Sequence, residues 1–411
     1  MEDALRDRKG HWFEFLSTFR RGLVAAGDKV KIFASRECDP VVAAALQAEA
    51  ILPISIWARM SDHKSVWRRM LRVPGHAWAT WRALRKLLRR SGRAIAPDFI
   101  FVPTVLVHHL LGWWLIIKAG LLPKESRILL FFPNLPIKLD ENDIPRWSAS
   151  PTAILMRQIF QSFSRNVKSR RIILGVETYA MQRALQTLIQ MPVTYFPHPV
   201  EGLPDQDKKL AEARAAHRDK VSVLAKPIVF GCYGAARWEK GTDILQAAIR
   251  RVLKEDPEIP AKFVFQWLDD FHDFKGNQVR LDPWLKNHQK VEVIERYFKA
   301  GEYERRLAET DVMVLPYRAP YRLRVSRVLI EAITSGIPVI ASPETTLWEQ
   351  IVKYGAGVEY VEGSPDDLAQ GIRKACRNIE KLNRLAQTRA EEARTHFSIL
   401  TFRKKLQEAI L

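Results

Sequence analysis

Four arginines, Arg318, Arg322, Arg324 and Arg327, crowd a ten-residue stretch that also holds Ser326, and Glu331 follows one helical turn after Arg327. Guanidinium groups and a serine hydroxyl at a helix start are suited to phosphate oxygens, and a nearby carboxylate is suited to accepting hydrogen bonds from hydroxyls. The flanks say how these residues are held. Val312 to Leu315 reads as a buried strand, Ser326 to Thr334 as a helix that Ser326 caps, Gly336-Ile337-Pro338 as a tight turn, and the residues to Ala341 as another buried strand. Strand, loop, helix and strand in that order put the loop and helix N-terminus at the carboxyl end of a parallel sheet, where doubly wound folds bind nucleotides.

The elements around this block repeat the pattern. Strand-like runs at Ile228–Cys232, Lys262–Trp267, Lys290–Ile294, Asp311–Leu315, Ile337–Ala341 and Gly357–Val361 alternate with helical stretches such as Thr242–Lys254, Glu302–Glu309, Thr346–Lys353 and Asp366–Asn378. The runs are continuous and rich in Val and Ile, as strands covered on both faces must be. The first half is less regular. It offers a helix at Trp12–Ala26, stopped by Gly27, then strands at Lys29–Ala34, Phe99–Val102, Arg127–Phe132, Ile172–Val176 and Val193–Phe196. Met1 to Lys9 has almost no β character, although a doubly wound domain opens on a central strand. The expectation is that this strand lies upstream of the assigned Met1, or that the domain lacks it.

At 411 residues, the chain is too long for one ordinary core and suits two domains. Cys38, Cys232 and Cys376 are far apart and pair into no metal motif, which fits a reducing compartment and excludes a disulfide framework. The carboxylates are scattered, Asp269-Asp270 with His272 and Asp273 reads as a charged loop end, and no metal constellation is expected. Met1 to Asp7 is polar and mixed in sign, so no signal peptide is expected. The apolar run Val102 to Leu122 approaches bilayer length but contains Pro103, His108, His109 and Lys118, so it is read as a strand and a packed helix.

The net charge of +19 is concentrated. From Arg59 to Arg93, eleven basic residues face one acid, Asp62, with Trp57, Trp67, Trp78 and Trp81 interleaved. An anionic lipid surface, a solvated helix face and nucleic acid all suit such a segment. No nucleic-acid module pattern accompanies it, which places the membrane surface ahead of nucleic acid.

Gly234-Ala-Ala-Arg237-Trp-Glu-Lys240-Gly241, followed by the Arg318–Ser342 block, resembles the carboxyl-terminal domain of family 4-like, or group 1, glycosyltransferases of the GT-B type. The likeness is good over Ile228 to Ser342 and weak towards the ends. It implies an α/β protein of two Rossmann-like doubly wound domains facing across a cleft. On this frame, residues 1–200 form the acceptor-side domain with a basic Trp-rich helical insertion at 57–93. Residues 201–227 form the linker, 228–395 the nucleotide-sugar domain, and 396–411 a helix crossing back to the first domain.

The resemblance also implies roles. Gly234, Arg237, Lys240, Arg324, Ser326 and Arg327 would bind the donor diphosphate, whose growing negative charge needs cations. Glu331 would hold the ribose hydroxyls, and Tyr297 or Phe298 would lie at the base. Gly10 would belong to the first domain's glycine loop, with His11 as the candidate catalytic base and His108 and His109 as weaker ones. Leu323 stands where the family's first glutamate is expected, and Arg324-Val325-Ser326-Arg327 replaces the glycines after it. The arginine usually found five or six positions before the lysine is absent, so Arg237 must act from another angle.

The expected protein is a cytoplasmic enzyme, peripheral at the inner face of the membrane. It would pass a sugar from a nucleotide-sugar to a lipid-linked or surface-glycan acceptor, with retention, without a metal or other cofactor, and without nucleic acid as a partner. The alternatives are a catalytically silent relative that binds nucleotide or glycan as a partner subunit, and an epimerase or soluble-polysaccharide synthase on the same scaffold.

Overall fold

The computed structural model describes residues 1–7, 12–54, 66–90, 97–200, 227–299 and 301–410. The chain forms two compact units, one of residues 1–199 with 399–411 and one of residues 200–398. The stretch from 201 to 226, which holds most of the expected linker, lies outside the described residues.

In the first unit, β1 (Ile32–Ser35) and β2 (Ala48–Leu52) pair in parallel, and β3 (Phe99–Val102), β4 (Arg127–Phe132), β5 (Ile172–Val176) and β6 (Thr194–Tyr195) form a parallel four-stranded ladder in that order. Residues 1–3 join the two sheets. Glu2 makes a parallel bridge to Ala34 of β1, and the Met1 amine donates to the Phe101 carbonyl of β3 at 2.8 Å. The central place of the sheet, which the sequence left without a strand, is therefore taken by Met1–Asp3. Their polar side chains hid them from a β reading. Strand β2 was also missed, because Ala48-Glu49-Ala50 at the sheet's outer edge is too polar and partly exposed to look like a buried run.

Helix α1 (Trp12–Ala25) turns Phe15, Leu16 and Phe19 into this core. The end of the chain finishes it. The carboxyl-terminal helix, Ile399–Ile410, sets Phe402 among Phe19, Phe101, Phe131 and Phe196, with ring centroids 4.7–6.2 Å apart. Arg403 closes the contact with two hydrogen bonds to Asp28, at 2.7 and 3.0 Å.

The described part of the basic Trp segment is one long helix, α2 (Val66–Arg90), with Pro74 inside it. Val73, His76, Ala77, Thr80, Ala83 and Leu84 are buried on one face, at helical spacing, while Trp78 is 53% exposed. Residues 55–65 and 91–96 of that segment lie outside the described set. Helix α3 (Val107–Lys118) is buried through Leu110, Trp113 and Ile116, and among the described residues no helix is long and apolar enough to cross a membrane.

The second unit holds a six-stranded, all-parallel sheet. Its strands in chain order are β7 (Ile228–Cys232), β8 (Ala261–Gln266), β9 (Val291–Ile294), β10 (Val312–Leu315), β11 (Val339–Ala341) and β12 (Gly357–Glu359). They lie side by side as β9-β8-β7-β10-β11-β12. Strand order reverses between β7 and β10, which pair directly through Val312–Phe230 and Met313–Gly231. At such a switch point the connections leave to opposite sides, and a crevice opens at the carboxyl ends. The stretch read as a charged loop end is instead partly ordered, as a short antiparallel pair of Phe271–His272 with Gln278–Val279.

Candidate functional site

Two loops leave the carboxyl ends of β7 and β10 and lead into helices α4 (Thr242–Glu255) and α5 (Arg327–Thr334). Every donor-side residue named from the sequence except Tyr297 and Phe298 lies on or beside them.

After β7 the backbone turns at Gly234, whose φ of +99° suits glycine. Its N–H donates to the Gln266 side-chain oxygen at 2.9 Å, and the Gln266 amide donates to the Arg296 carbonyl at 2.7 Å. One glutamine at the end of β8 thus ties the exits of three neighbouring strands. Gly241 has a φ of +63°, and a Cβ there would lie 1.9 Å from the Pro316 carbonyl oxygen. No side chain fits, so the two loops can touch. The Lys240 chain runs back over the turn, because a Cβ on Gly234 would meet its Nζ at 2.5 Å. Burial lowers the Lys240 pKa, and the Arg237 charge nearby adds to that effect. Arg237 itself is exposed, with the Glu239 carboxylate 3.8 Å away.

The second loop is stitched to the first. The Arg318 N–H donates to the Glu239 carbonyl at 3.0 Å, and the Arg318 guanidinium binds both oxygens of Asp243 and the Trp238 carbonyl. Tyr317 is buried beneath Lys240, with Nζ 5.8 Å from its ring centroid, and stacks on Tyr321 at 4.3 Å. Burial raises the Tyr321 phenol pKa, while the charges of Arg324 and Arg237 oppose that rise.

The arginines divide by role. Arg318 is held by Asp243, and Arg322 pairs with Glu344 and, at 3.9 Å, with Glu362. Arg327 donates to Glu331 at 2.7 Å. Ser326 is the N-cap of α5, its oxygen accepting the Leu329 N–H at 3.3 Å. Glu331 accepts from Arg327 on one oxygen and from the Tyr303 hydroxyl on the other, at 2.5 Å. Its carboxylate is aimed by these two donors and keeps lone pairs for more.

Tyr297 and Phe298 differ. Tyr297 is 67% exposed, whereas Phe298 packs on Tyr233 and Tyr303 at 5.7 and 5.6 Å. Leu323 is buried, so no carboxylate stands there. Gly10 and His11 lie outside the described residues. His108 and His109 are buried in the first unit with Asp3. The Phe196-Pro-His198-Pro199 stretch holds a pair the sequence did not disclose: His198 Nδ1 lies 2.5 Å from Glu177, 21 positions earlier, and Phe15 packs on the imidazole. Gln266, Tyr303, Tyr317 and Tyr321 also escaped the sequence reading. A polar Gln266 closing an apolar strand was the only visible signal among them.

The six-stranded parallel sheet and its switch point are those of one half of a GT-B fold. Residues 213–392 match the family model of glycosyl transferases group 1. The whole chain is similar to solved GT-B structures. Anabaena HepE in complex with UDP and glucose superimposes with a TM-score of 0.59 at 12% identity, over 100% of this chain and 98% of that one. The glycosyltransferase from Rickettsia africae gives 0.61 at 13% identity, over 99% and 96%. The catalytic domain of starch synthase IV from Arabidopsis thaliana, bound to ADP and acarbose, gives 0.60 at 14% identity, over 100% and 98%. A comparison with curated protein sequences finds no match.

Proposed function

We propose that this protein transfers a sugar from a nucleotide diphosphate donor to a hydroxyl of an acceptor glycan or lipid-linked glycan. The acceptor oxygen bonds to the anomeric carbon while the bond to the β-phosphate oxygen breaks, and the nucleoside diphosphate leaves with the electron pair. The observation that carries this reading is the contact of the β7 and β10 loops at Gly241 and Pro316, which sets Lys240 over Tyr317 near the Ser326-capped start of α5. Cations and a helix N-terminus at one corner stabilise a diphosphate leaving group. Glu331, aimed by Arg327 and Tyr303, accepts from the ribose hydroxyls, and exposed Tyr297 lies against the base. His11, next to Gly10, takes the acceptor proton. Retention is what the resemblance to group 1 enzymes implies.

The test is a thermal-shift series of UDP, GDP, ADP and dTDP, with their sugar conjugates, on the parent and on Lys240→Ala and Glu331→Ala. One nucleotide stabilising the parent and neither variant supports the donor site. A parent indifferent to all of them sinks it. Buried Leu323 favours one second reading, a relative that binds nucleotide or glycan without turnover. Binding with no release of diphosphate in the presence of acceptors selects that reading.

The acceptor side is proposed to work at an anionic membrane surface. Trp78 stands out from α2 and stacks on Trp81 at 4.5 Å, with the Arg85 guanidinium 5.0 Å from the Trp81 ring. Such a ridge suits the headgroup region, where each basic residue contributes about 1 kcal/mol. Flotation with phosphatidylserine vesicles tests it.

A further inference from the structure

Asp3, His76, His108 and His109 come from the amino-terminal strand segment, from α2 and from the first turn of α3, and converge in the buried interior of the first unit. One donor atom from each lies within 4.8 Å of the others. His109 Nε2 is 2.8 Å and His76 Nε2 3.2 Å from the same Asp3 oxygen. Donors of a tetrahedral zinc site lie about 3.3 Å apart, so small side-chain rotations would bring these to coordinating positions.

The contacts around the cluster show which atoms face its centre. Thr80 Oγ1 sits 3.3 Å from His76 Nδ1, and His76 Nε2 is directed inwards, towards Asp3. The Leu106 N–H donates to His109 Nδ1 at 3.2 Å, so His109 carries its proton on Nε2 and holds Asp3 with it. His76 Nε2, His108 Nε2 and Asp3 Oδ1 are all buried and have no hydrogen-bond partner in good geometry. Orphaned polar atoms of this kind cost about 1–3 kcal/mol each, and three in one place call for a ligand. A carboxylate and two imidazole nitrogens are a transition-metal donor set.

We propose that the first unit binds a divalent transition-metal ion of the zinc class, with Asp3, His76 and His108 as ligands and His109 orienting Asp3. The site is structural. It joins three segments: the residues in the centre of the sheet, the basic helix α2 and the start of α3. A small cavity beside it, about 20 Å³ and lined by Asp3, Thr80, Thr104, His109 and Trp113 among others, has room for a water as fourth ligand.

The experiment uses the full chain, purified without chelator from zinc-supplemented medium. Elemental analysis should find close to one zinc per chain in the parent, and far less in His76→Gln and His108→Gln. Replacing exposed His272 by Gln should leave the content unchanged. Cobalt chloride added to metal-stripped parent should give ligand-field absorption bands, which requires no variant to fold. His109→Gln should bind zinc about 10–100-fold more weakly without losing it. The proposal is overturned if the parent carries no metal, shows no cobalt bands, and melts at the same temperature with and without zinc chloride.

Discussion

Arg318 reaches Asp243 with both terminal nitrogens, at 2.8 and 2.6 Å, and so locks the loop after β10 to the first turn of α4. Both side chains are largely shielded from water, and the fork geometry is bidentate. Arg318→Ala leaves Asp243 uncompensated and should cost about 1–3 kcal/mol, read as a fall in melting temperature. Arg318→Lys keeps the charge but loses the fork, so it should recover only part of the loss. A lysine variant as stable as the parent would show that charge alone matters.

Lys240 should behave differently, because it is held close to the site without such a clamp. Lys240→Ala is expected to leave the melting temperature within about 1–2 °C of the parent while abolishing the shift given by a nucleotide diphosphate. At 100 times its dissociation constant, a ligand specific for the folded state adds about 2.7 kcal/mol to the parent. An unchanged ligand-induced shift in the variant would remove Lys240 from the donor site.

Gly241 admits no replacement. Gly241→Ala forces a left-handed backbone that costs about 1–2 kcal/mol, and the Cβ would also press on the Pro316 carbonyl. The loops should part, lowering both stability and nucleotide binding. By contrast, Gly276→Ala has the same backbone strain with no neighbour within 4 Å, so it should reduce stability less and leave binding intact. Equal effects at the two sites would contradict this account.

Acid should act through Glu302. Hydrogen bonds from Arg296 and from the Lys299 N–H hold its pKa down to about 2, below that of an unfolded glutamate. A lowered folded pKa stabilises at pH values above the unfolded one, near 4.5, and that contribution is lost as pH falls towards 2. Glu302→Gln should therefore be less stable than the parent at pH 7, and the gap should close through that window. Melting curves from pH 7 to 2.5 decide it, and a constant gap would refute the assignment.

The membrane proposal turns on exposed aromatic surface. Trp78→Ala should weaken binding to anionic vesicles and barely change stability, since the ring is more than half exposed. Arg85→Ala should add to the loss at low salt and matter less at high salt. Vesicle flotation equal for parent and double variant would place the partner of α2 elsewhere.

The second unit was legible because each strand carries its own local signal. Val and Ile runs such as Val312–Leu315 and Ile228–Cys232 need cover on both faces whatever surrounds them. Arg237, Lys240 and Ser326 could be placed on their loops for the same reason, as they sit at fixed offsets from strand ends. What the sequence concealed depends on pairing over distance. Arg318 and Arg322 looked like phosphate ligands until Asp243 and Glu344 appeared beside them. Met1–Asp3 has no strand-like residues, yet it fills the sheet's centre because Phe33 and Phe101 offer carbonyls to it. Asp3 and His76 are 73 positions apart, and no spacing rule links them.

Phe402 belongs to the core that Phe19 and Phe101 begin. During synthesis the first 199 residues leave the ribosome long before Ile399–Ile410 exists, and the entire second unit is made in between. The amino-terminal half must wait with an open aromatic socket, while its neighbour can close at once. The last dozen residues act as the latch on the part that was made first, so a fragment ending at Pro199 should stay unfinished however long it is given.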